Sequence, residues 1–241
     1  MSMDMPQRNL GGVLGNALLS YTKISLRLLG AHLSKSQLYR LQAALNYLRL
    51  GRWMSDQGFH FERQLPDRRA VFDFMASRVN DKRVLYLEFG VYQGASILYW
   101  ATKLRHPEAQ LHGFDSFEGL PEAWGPWEKG RFETGGKIPV ATDGRVKFFK
   151  GWFQDVLPNY VVPDHEVLII VLDADLYSAT SYVLGHLRPY IRQGTLIYFD
   201  EMNHVDHEPK AFRELMESSS LRFRPVCADR TLATTCFECI G

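Results

Sequence analysis

Two strongly apolar runs, EVLIIVLDAD and GTLIYFDEMN, end in acids: Asp173 and Asp175 in the first, Asp200 and Glu201 in the second. If both runs are neighbouring parallel strands, their ends lie roughly 5 Å apart. Four carboxylates would then crowd one rim, repel one another and raise one another's pKa values. A hard divalent cation with oxygen ligands resolves that repulsion, and Mg²⁺ is the natural candidate. The competing reading has two of the acids capping the helices that follow, Asp175 first among them, and the others meeting Arg or Lys. Each pair follows an apolar strand with no basic neighbour in sequence, which favours the metal. His204 and His207 follow closely, and either could act as a general base near neutral pH.

A third apolar run, VLYLEFGVYQGAS (84–96), ends on Glu88 with Gly90 and Gly94 close behind. A strand that only filled a core would need none of the three. Ligands of open α/β sheets bind at the carboxyl ends of central strands. Gly90 would let the backbone turn, and Gly94 would let a ligand approach the start of the next helix. The dinucleotide fingerprint has three glycines and delivers a pyrophosphate to a helix N-terminus. This sequence has two glycines, and Glu88 would repel a diphosphate. A carboxylate there suits a cationic ligand such as S-adenosylmethionine, which carries an ammonium and a sulfonium. A plain glycine turn between strand and helix remains the alternative. Asp115 ends the next apolar run, 25 residues past Gly90, where an acid accepts hydrogen bonds from ribose hydroxyls. That supports a nucleoside without choosing the cofactor.

These residues need a scaffold, and the chain supplies one. RVLYLEFG, AQLHGFDSF, RVKFFKGWF, EVLIIVLDAD and GTLIYFDEMN read as strands, with helical stretches at GASILYWATKLRH, SATSYVLGHLRPYI and EPKAFRELMESS. The pattern predicts an α/β fold: a doubly wound, Rossmann-like, seven-stranded and mostly parallel sheet. FRPVCAD and LATTCFECI close it as an antiparallel hairpin. Residues 1–65 read as an N-terminal helical extension, a cap or dimer interface. Within it, Leu18, Leu19, Ile24 and Leu28 form one stripe, and Leu38, Leu41, Ala44, Leu45 and Leu48 another. LPDRRAVFDFMASRV, with Asp67 near its start, opens the main domain over 66–241. Residues 117–145 form a long Gly/Pro/Trp-rich connection of the kind that serves as a lid.

Composition narrows the function classes. The chain has 241 residues, 46% of them hydrophobic, and a net charge of +1, which argues against a nucleic-acid surface. Lys23 and Arg27 interrupt the apolar N-terminal stretch, so no transmembrane span is expected. No signal peptide is read there either. The three cysteines, Cys227, Cys236 and Cys239, include a lone C-x-x-C that lacks the second pair a zinc site needs. Free thiols and a cytoplasmic location are the expectation.

FDSFEGLPE (114–122), KGWFQDVLP (150–158), LDADLYSAT (172–180) and FDEMNHVDHEPKAF (199–212) together resemble the macrocin O-methyltransferase family. Its members are class I methyltransferases that use S-adenosylmethionine, and several act on sugar hydroxyls of natural products. The resemblance spans about residues 80–215. It implies that Glu88, Gly90 and Gly94, with Tyr92 and Ser96 in the same loop, face the methionine part of the donor. Asp115 would bind the ribose, Ser116 would lie near the adenine, and Gly151 and Trp152 would flank it. Asp173, Asp200 and Glu201 would hold Mg²⁺ or another divalent cation. Asp175 would sit near the acceptor hydroxyl; Asp173, Asp175 and His204 are the expected catalytic residues, with Asp175 or His204 as the base. The Asp-Glu pair at 200–201 departs from the Asp-Asp or Asp-Asn of close relatives. Trp124 and Trp127 would stack on a sugar or pack the lid shut. The expected reaction is metal-assisted O-methylation of a small-molecule hydroxyl, most naturally on a sugar of a glycosylated natural product or polysaccharide. An NAD-dependent oxidoreductase and a non-catalytic methyltransferase-like module, with the N-terminal helices forming a homodimer, are the rival readings.

Overall fold

The structure is a computed structural model that describes residues 10–241, with side chains from residue 19 onward. Residues 1–9 of the expected extension and the side chain of Leu18 lie outside the described residues. The chain divides into two compact units, residues 1–45 and 46–241. The first contains helix α1 (Leu10–Gly30) and the start of α2 (Lys35–Gln57). Ser34 caps α2: its hydroxyl accepts from the Gln37 amide at 3.2 Å, and the Gln37 side chain accepts from the Ser34 amide at 2.8 Å. This is the reciprocal arrangement of a capping box. No described helix is long and apolar enough to cross a membrane.

In the second unit, the rest of α2 buries Leu50 and Met54, and Trp53 meets Phe212 edge-on. A two-residue strand β1 (Gln64–Leu65) precedes α3 (Arg68–Ser77). Asp67 caps α3 by accepting from the Ala70 amide at 2.9 Å. Strand β2 (Val84–Phe89) leads into α4 (Ala95–Lys103), then β3 (Gln110–Asp115) and β4 (Val146–Lys150). A single turn, α5 (Phe153–Val156), is followed by β5 (Val167–Leu172), α6 (Tyr177–Leu187), β6 (Leu196–Phe199) and α7 (Glu208–Glu217). Strands β7 (Phe223–Asp229) and β8 (Thr235–Cys239) close the chain.

The sheet has eight strands in the order β1-β7-β8-β6-β5-β2-β3-β4. The seven expected strands are all there, and β1 is the eighth, parallel to the end of β7. Among the described strands only β8 is reversed: it runs antiparallel to both β6 and β7. A bulge between Pro225 and Cys227 accommodates a proline that cannot donate to the ladder. Strand β2 lies centrally, with Glu88 opposite Gly113 on β3 and Val171 on β5.

Period-two alternation splits the core. Leu85, Leu87, Phe89, Leu168, Ile170 and Leu172 pack one face, and Val84, Tyr86, Ile169 and Val171 the other. Both faces are covered, so the strands read as continuous apolar runs. The chain leaves β2 toward β3 and β4 on one side, and toward β5 and β6 on the other. That reversal is the topological switch point. Glu88, Asp115, Asp173 and Asp200 stand along the carboxyl rim around it.

Candidate functional site

The bend after β2 is built around two glycines. Gly90 has φ 92°, and a Cβ there would come within 1.8 Å of the Asp173 carbonyl oxygen. Only glycine lets the ends of β2 and β5 approach this closely. Gly94 has φ 79° and caps α4 without a side chain; an added Cβ would touch Pro139 of the long loop at 3.0 Å. Asp115 clamps the bend. Its Oδ2 accepts from the amides of Val91 and Tyr92, both at 2.8 Å, and its Oδ1 from that of Phe117 at 2.7 Å. Tyr92 is held at φ 51° and is exposed.

Ser116 is buried, its hydroxyl accepting from the Glu118 amide. Gly151 donates its amide to the Asp115 carbonyl at 2.9 Å. Half-exposed Trp152 follows at the start of α5. The expected donor-site residues on β2, β3 and β4 are therefore brought together along one rim.

Glu88 shares a face with Tyr86, and the Tyr86 hydroxyl donates to its carboxylate. Only 1% of Glu88 is exposed. Burial, aided by Asp173 and Asp115 and opposed by the Tyr86 bond and Arg68, pushes its pKa up to about 8. An acid in this state waits for a cation.

At the ends of β5 and β6 the structure corrects one expectation: the acids do have a basic neighbour. Arg68, the first residue of α3, reaches between them. Its Nη2 donates to Asp173 Oδ2 at 2.7 Å and to Ser96 Oγ at 3.0 Å. Its Nη1 donates to Asp200 Oδ2 at 3.3 Å, and its Nε lies 3.2 Å from Asp200 Oδ1. Burial works against the guanidinium charge, but Asp173 and Asp200 outweigh it and hold Arg68 protonated. Asp200 also accepts from the Tyr198 hydroxyl at 2.6 Å. Burial and Asp173 raise the Asp200 pKa in spite of Arg68.

Asp175 does not cap α6, whose N-cap is Leu176 with no side-chain bond. The His207 Nδ1 instead accepts from the Tyr177 amide at 3.3 Å. Asp175 sits at φ 60°, a conformation that costs a non-glycine residue energy and is typical of functional sites. Burial and then Asp173, Asp200 and Asp115 push its pKa up to about 7.

Glu201 turns toward His204, with Oε2 3.3 Å from Nε2. Burial and the neighbouring acids push Glu201 up to about 8. Burial lowers both His204 and His207. Trp124 of the long loop is buried and lies over the His204 ring at 5.0 Å, packing with Leu120 and Leu176. Trp127 is partly exposed and stacks edge-on with Phe132.

A divalent cation does not fit this arrangement. Asp173 and Asp200 face a guanidinium, Glu201 faces His204, and among the described residues no three His, Cys, Asp or Glu converge to hold a metal.

Sequence reasoning passed over Arg68, Tyr86, Tyr198 and Glu208. The tyrosines carry a readable signal: Tyr86-x-Glu88 and Tyr198-x-Asp200 repeat the same spacing, which puts hydroxyl and acid on one strand face. Glu208 is fully buried at the start of α7 and accepts from the Glu201 amide at 2.9 Å.

Comparison with known proteins places this site in context. Residues 87–202 match a family described as a methyltransferase domain. A Streptomyces olivaceus protein, the 8-demethyl-8-(2,3-dimethoxy-alpha-L-rhamnosyl)-tetracenomycin-C 4'-O-methyltransferase, is 31% identical over 140 residues, 48% of this chain and 51% of its own length. The mycinamicin III 3''-O-methyltransferase of Micromonospora griseorubida is 29% identical over 99 residues, 40% of this chain and 36% of its own. The matched stretch thus spans about half or less of these curated relatives. Among solved structures, the calicheamicin methyltransferase CalS11 superposes with a TM-score of 0.55 at 20% identity, covering 86% of this chain and 94% of its own. The O-methyltransferase NovP gives 0.53 at 19% identity, covering 72% and 78%. The last two share the fold: a Rossmann-like, mostly parallel sheet with an antiparallel end.

Proposed function

We propose that this chain, whose residues 87–202 match a methyltransferase domain family, transfers a methyl group from S-adenosylmethionine to a hydroxyl of a small molecule. The observation that carries the reading is the buried Glu88 beside the glycine bend that Asp115 clamps. A buried carboxyl with a raised pKa gains most from a ligand that brings positive charge. The donor's ammonium and sulfonium bring it, and a dinucleotide's pyrophosphate does not. The ribose would meet Asp115, and Ser116, Gly151 and Trp152 would border the adenine.

The donor supplies an activated methyl group. The acceptor oxygen forms a bond to that carbon as the carbon–sulfur bond breaks, and the electron pair stays on sulfur as a neutral thioether. The hydroxyl proton goes to a base and then to solvent. Asp175, at about 7, is poised to accept it at neutral pH. His204 is kept neutral by burial and is the second candidate. Holding donor and acceptor in line supplies much of the acceleration. Trp124 and the rest of the 117–145 loop would exclude water from above.

The metal-assisted form of the reaction does not belong to this reading because Arg68 already stands between Asp173 and Asp200, where the ion would sit. The rhamnosyl compound in the name of one relative makes a deoxysugar glycoside the first acceptor to test. The N-terminal helices are read as an extension and a surface for a second copy. The buried free thiols suit a cytoplasmic location.

The test is incubation with methyl-labelled donor and separate rhamnosides, polysaccharide fragments and phenols, followed by mass spectrometry. Label on a hydroxyl oxygen supports the proposal. Donor binding without transfer to any acceptor supports a non-catalytic module, and hydride transfer with NAD supports the oxidoreductase.

A further inference from the structure

Arg68 lies where the sequence leads one to expect a metal ion. Its fork spans two neighbouring strand ends, with Asp173 directly after β5 at 2.7 Å and Asp200 directly after β6 at 3.2 Å. Arg is suited to such a place, because its planar guanidinium stays charged and binds carboxylates through several donors at once. The side chain is fixed from three further directions. Its backbone begins α3 directly after the Asp67 cap. Ser96 accepts a hydrogen bond from Nη2. The Phe72 ring lies beneath the guanidinium carbon at 5.3 Å. A flexible surface ion pair would have none of these supports.

We infer that Arg68 is the resident cation of this carboxylate rim, so that the chain needs no divalent metal for donor binding or for chemistry. This deepens the methyl-transfer reading and rests on it only for the chemistry. Arg68 acts as a positioning residue, holding Asp173 and Asp200 at the ends of β5 and β6. The acids expected to bind metal are present, but a guanidinium already occupies the place between Asp173 and Asp200 that the ion would take. Removing the guanidinium should free Asp173 and Asp200 to take an ion, with Glu201 turning from His204 to complete the site.

The test is calorimetric titration of the chelator-treated full chain with MnCl₂, beside Arg68→Met, Arg68→Lys and Arg68→Met/Asp173→Asn. The unmodified chain and Arg68→Lys should bind no Mn²⁺ at stoichiometric protein concentrations. Arg68→Met should bind one ion, with a Kd at least about tenfold below the weakest binding the titration would detect in the unmodified chain, since an opposite charge at this range shifts ionic equilibria by about 10- to 1,000-fold. The added Asp173→Asn change should abolish that site. A merely structural role for Arg68 would not create a metal site. One-to-one Mn²⁺ binding by the unmodified chain that is lost in Asp173→Asn overturns the inference. So does methyl transfer that stops with chelator and returns with Mg²⁺, or an Arg68→Met protein that folds and binds no ion. If Arg68→Met does not fold, the unmodified chain decides alone. Titrating the same samples with S-adenosylmethionine keeps the two ideas separate: a chain that binds neither donor nor Mn²⁺ refutes the donor assignment while leaving the Arg68 inference standing.

Discussion

Glu88→Gln should make the ligand-free protein more stable and the donor complex weaker. In the folded chain Glu88 keeps its proton up to about pH 8, whereas its ordinary value is 4.5. Between those values the folded state binds more protons than the unfolded one, so stability falls as pH rises. The loss begins near pH 4.5 and is complete above about pH 8. At about 1.4 kcal/mol per pH unit, it reaches about 3 kcal/mol at pH 7 and about 5 kcal/mol at pH 9. Glutamine has no charge to bury, and its carbonyl oxygen can still accept from the Tyr86 hydroxyl. For a domain of this size 1 kcal/mol moves Tm by about 2–4 °C, so Glu88→Gln should melt about 6–12 °C higher at pH 7. Near pH 4.5 the two proteins should melt together. Donor affinity should move the other way, falling about 10- to 100-fold with the loss of a charge-assisted contact. Differential scanning fluorimetry from pH 4.5 to 9, with and without S-adenosylmethionine, reads both effects. Equal melting across the whole range, or unchanged donor affinity, would refute the reasoning.

Gly90→Ala should cost about 2–5 kcal/mol, combining left-handed backbone strain with overlap on the Asp173 carbonyl. Gly58→Ala, at φ 67° but in open space, should cost only about 1–2 kcal/mol; equal melting of the two variants would remove the close approach of β2 and β5. Asp115→Asn should lower Tm, because three backbone amides lose an ionised acceptor, and should weaken donor binding at least about tenfold; unchanged affinity in calorimetry would remove the ribose assignment. Trp124→Ala should expose His204, raise its pKa toward the ordinary value of 6.5 as burial is relieved, and speed proteolysis within 117–145; an unchanged NMR titration of His204 would show that the tryptophan does not cover it.

The sheet was legible because strands covered on both faces leave unbroken apolar runs, as in VLIIVL of β5. β1 was not: a Gln-Leu pair carries no pattern, and its pairing partner lies at the far end of the chain. The meeting of strand tips followed from parallel topology alone, so Asp173 and Asp200 were placed on one rim correctly. Their partner was not readable. Arg68 is 105 residues from Asp173, and an argument about basic neighbours in sequence sees only local ones. The possible capping role of Asp175 failed for a related reason: a residue on a distant turn, His207, caps α6 instead. The tyrosines two residues before the acids, on the same face, were within reach of simple period-two reasoning and would have shown which face Glu88 and Asp200 occupy.

The central claim is that a buried acid beside a tight glycine turn receives a sulfonium-bearing nucleoside. Isothermal titration of the purified chain at pH 7.5 with S-adenosylmethionine, S-adenosylhomocysteine and NAD⁺ tests it most directly. Saturable one-to-one binding of the first two, proton release as Glu88 ionises and no heat from NAD⁺ are the predicted results. Binding of NAD⁺ in preference to either adenosyl compound would contradict the account.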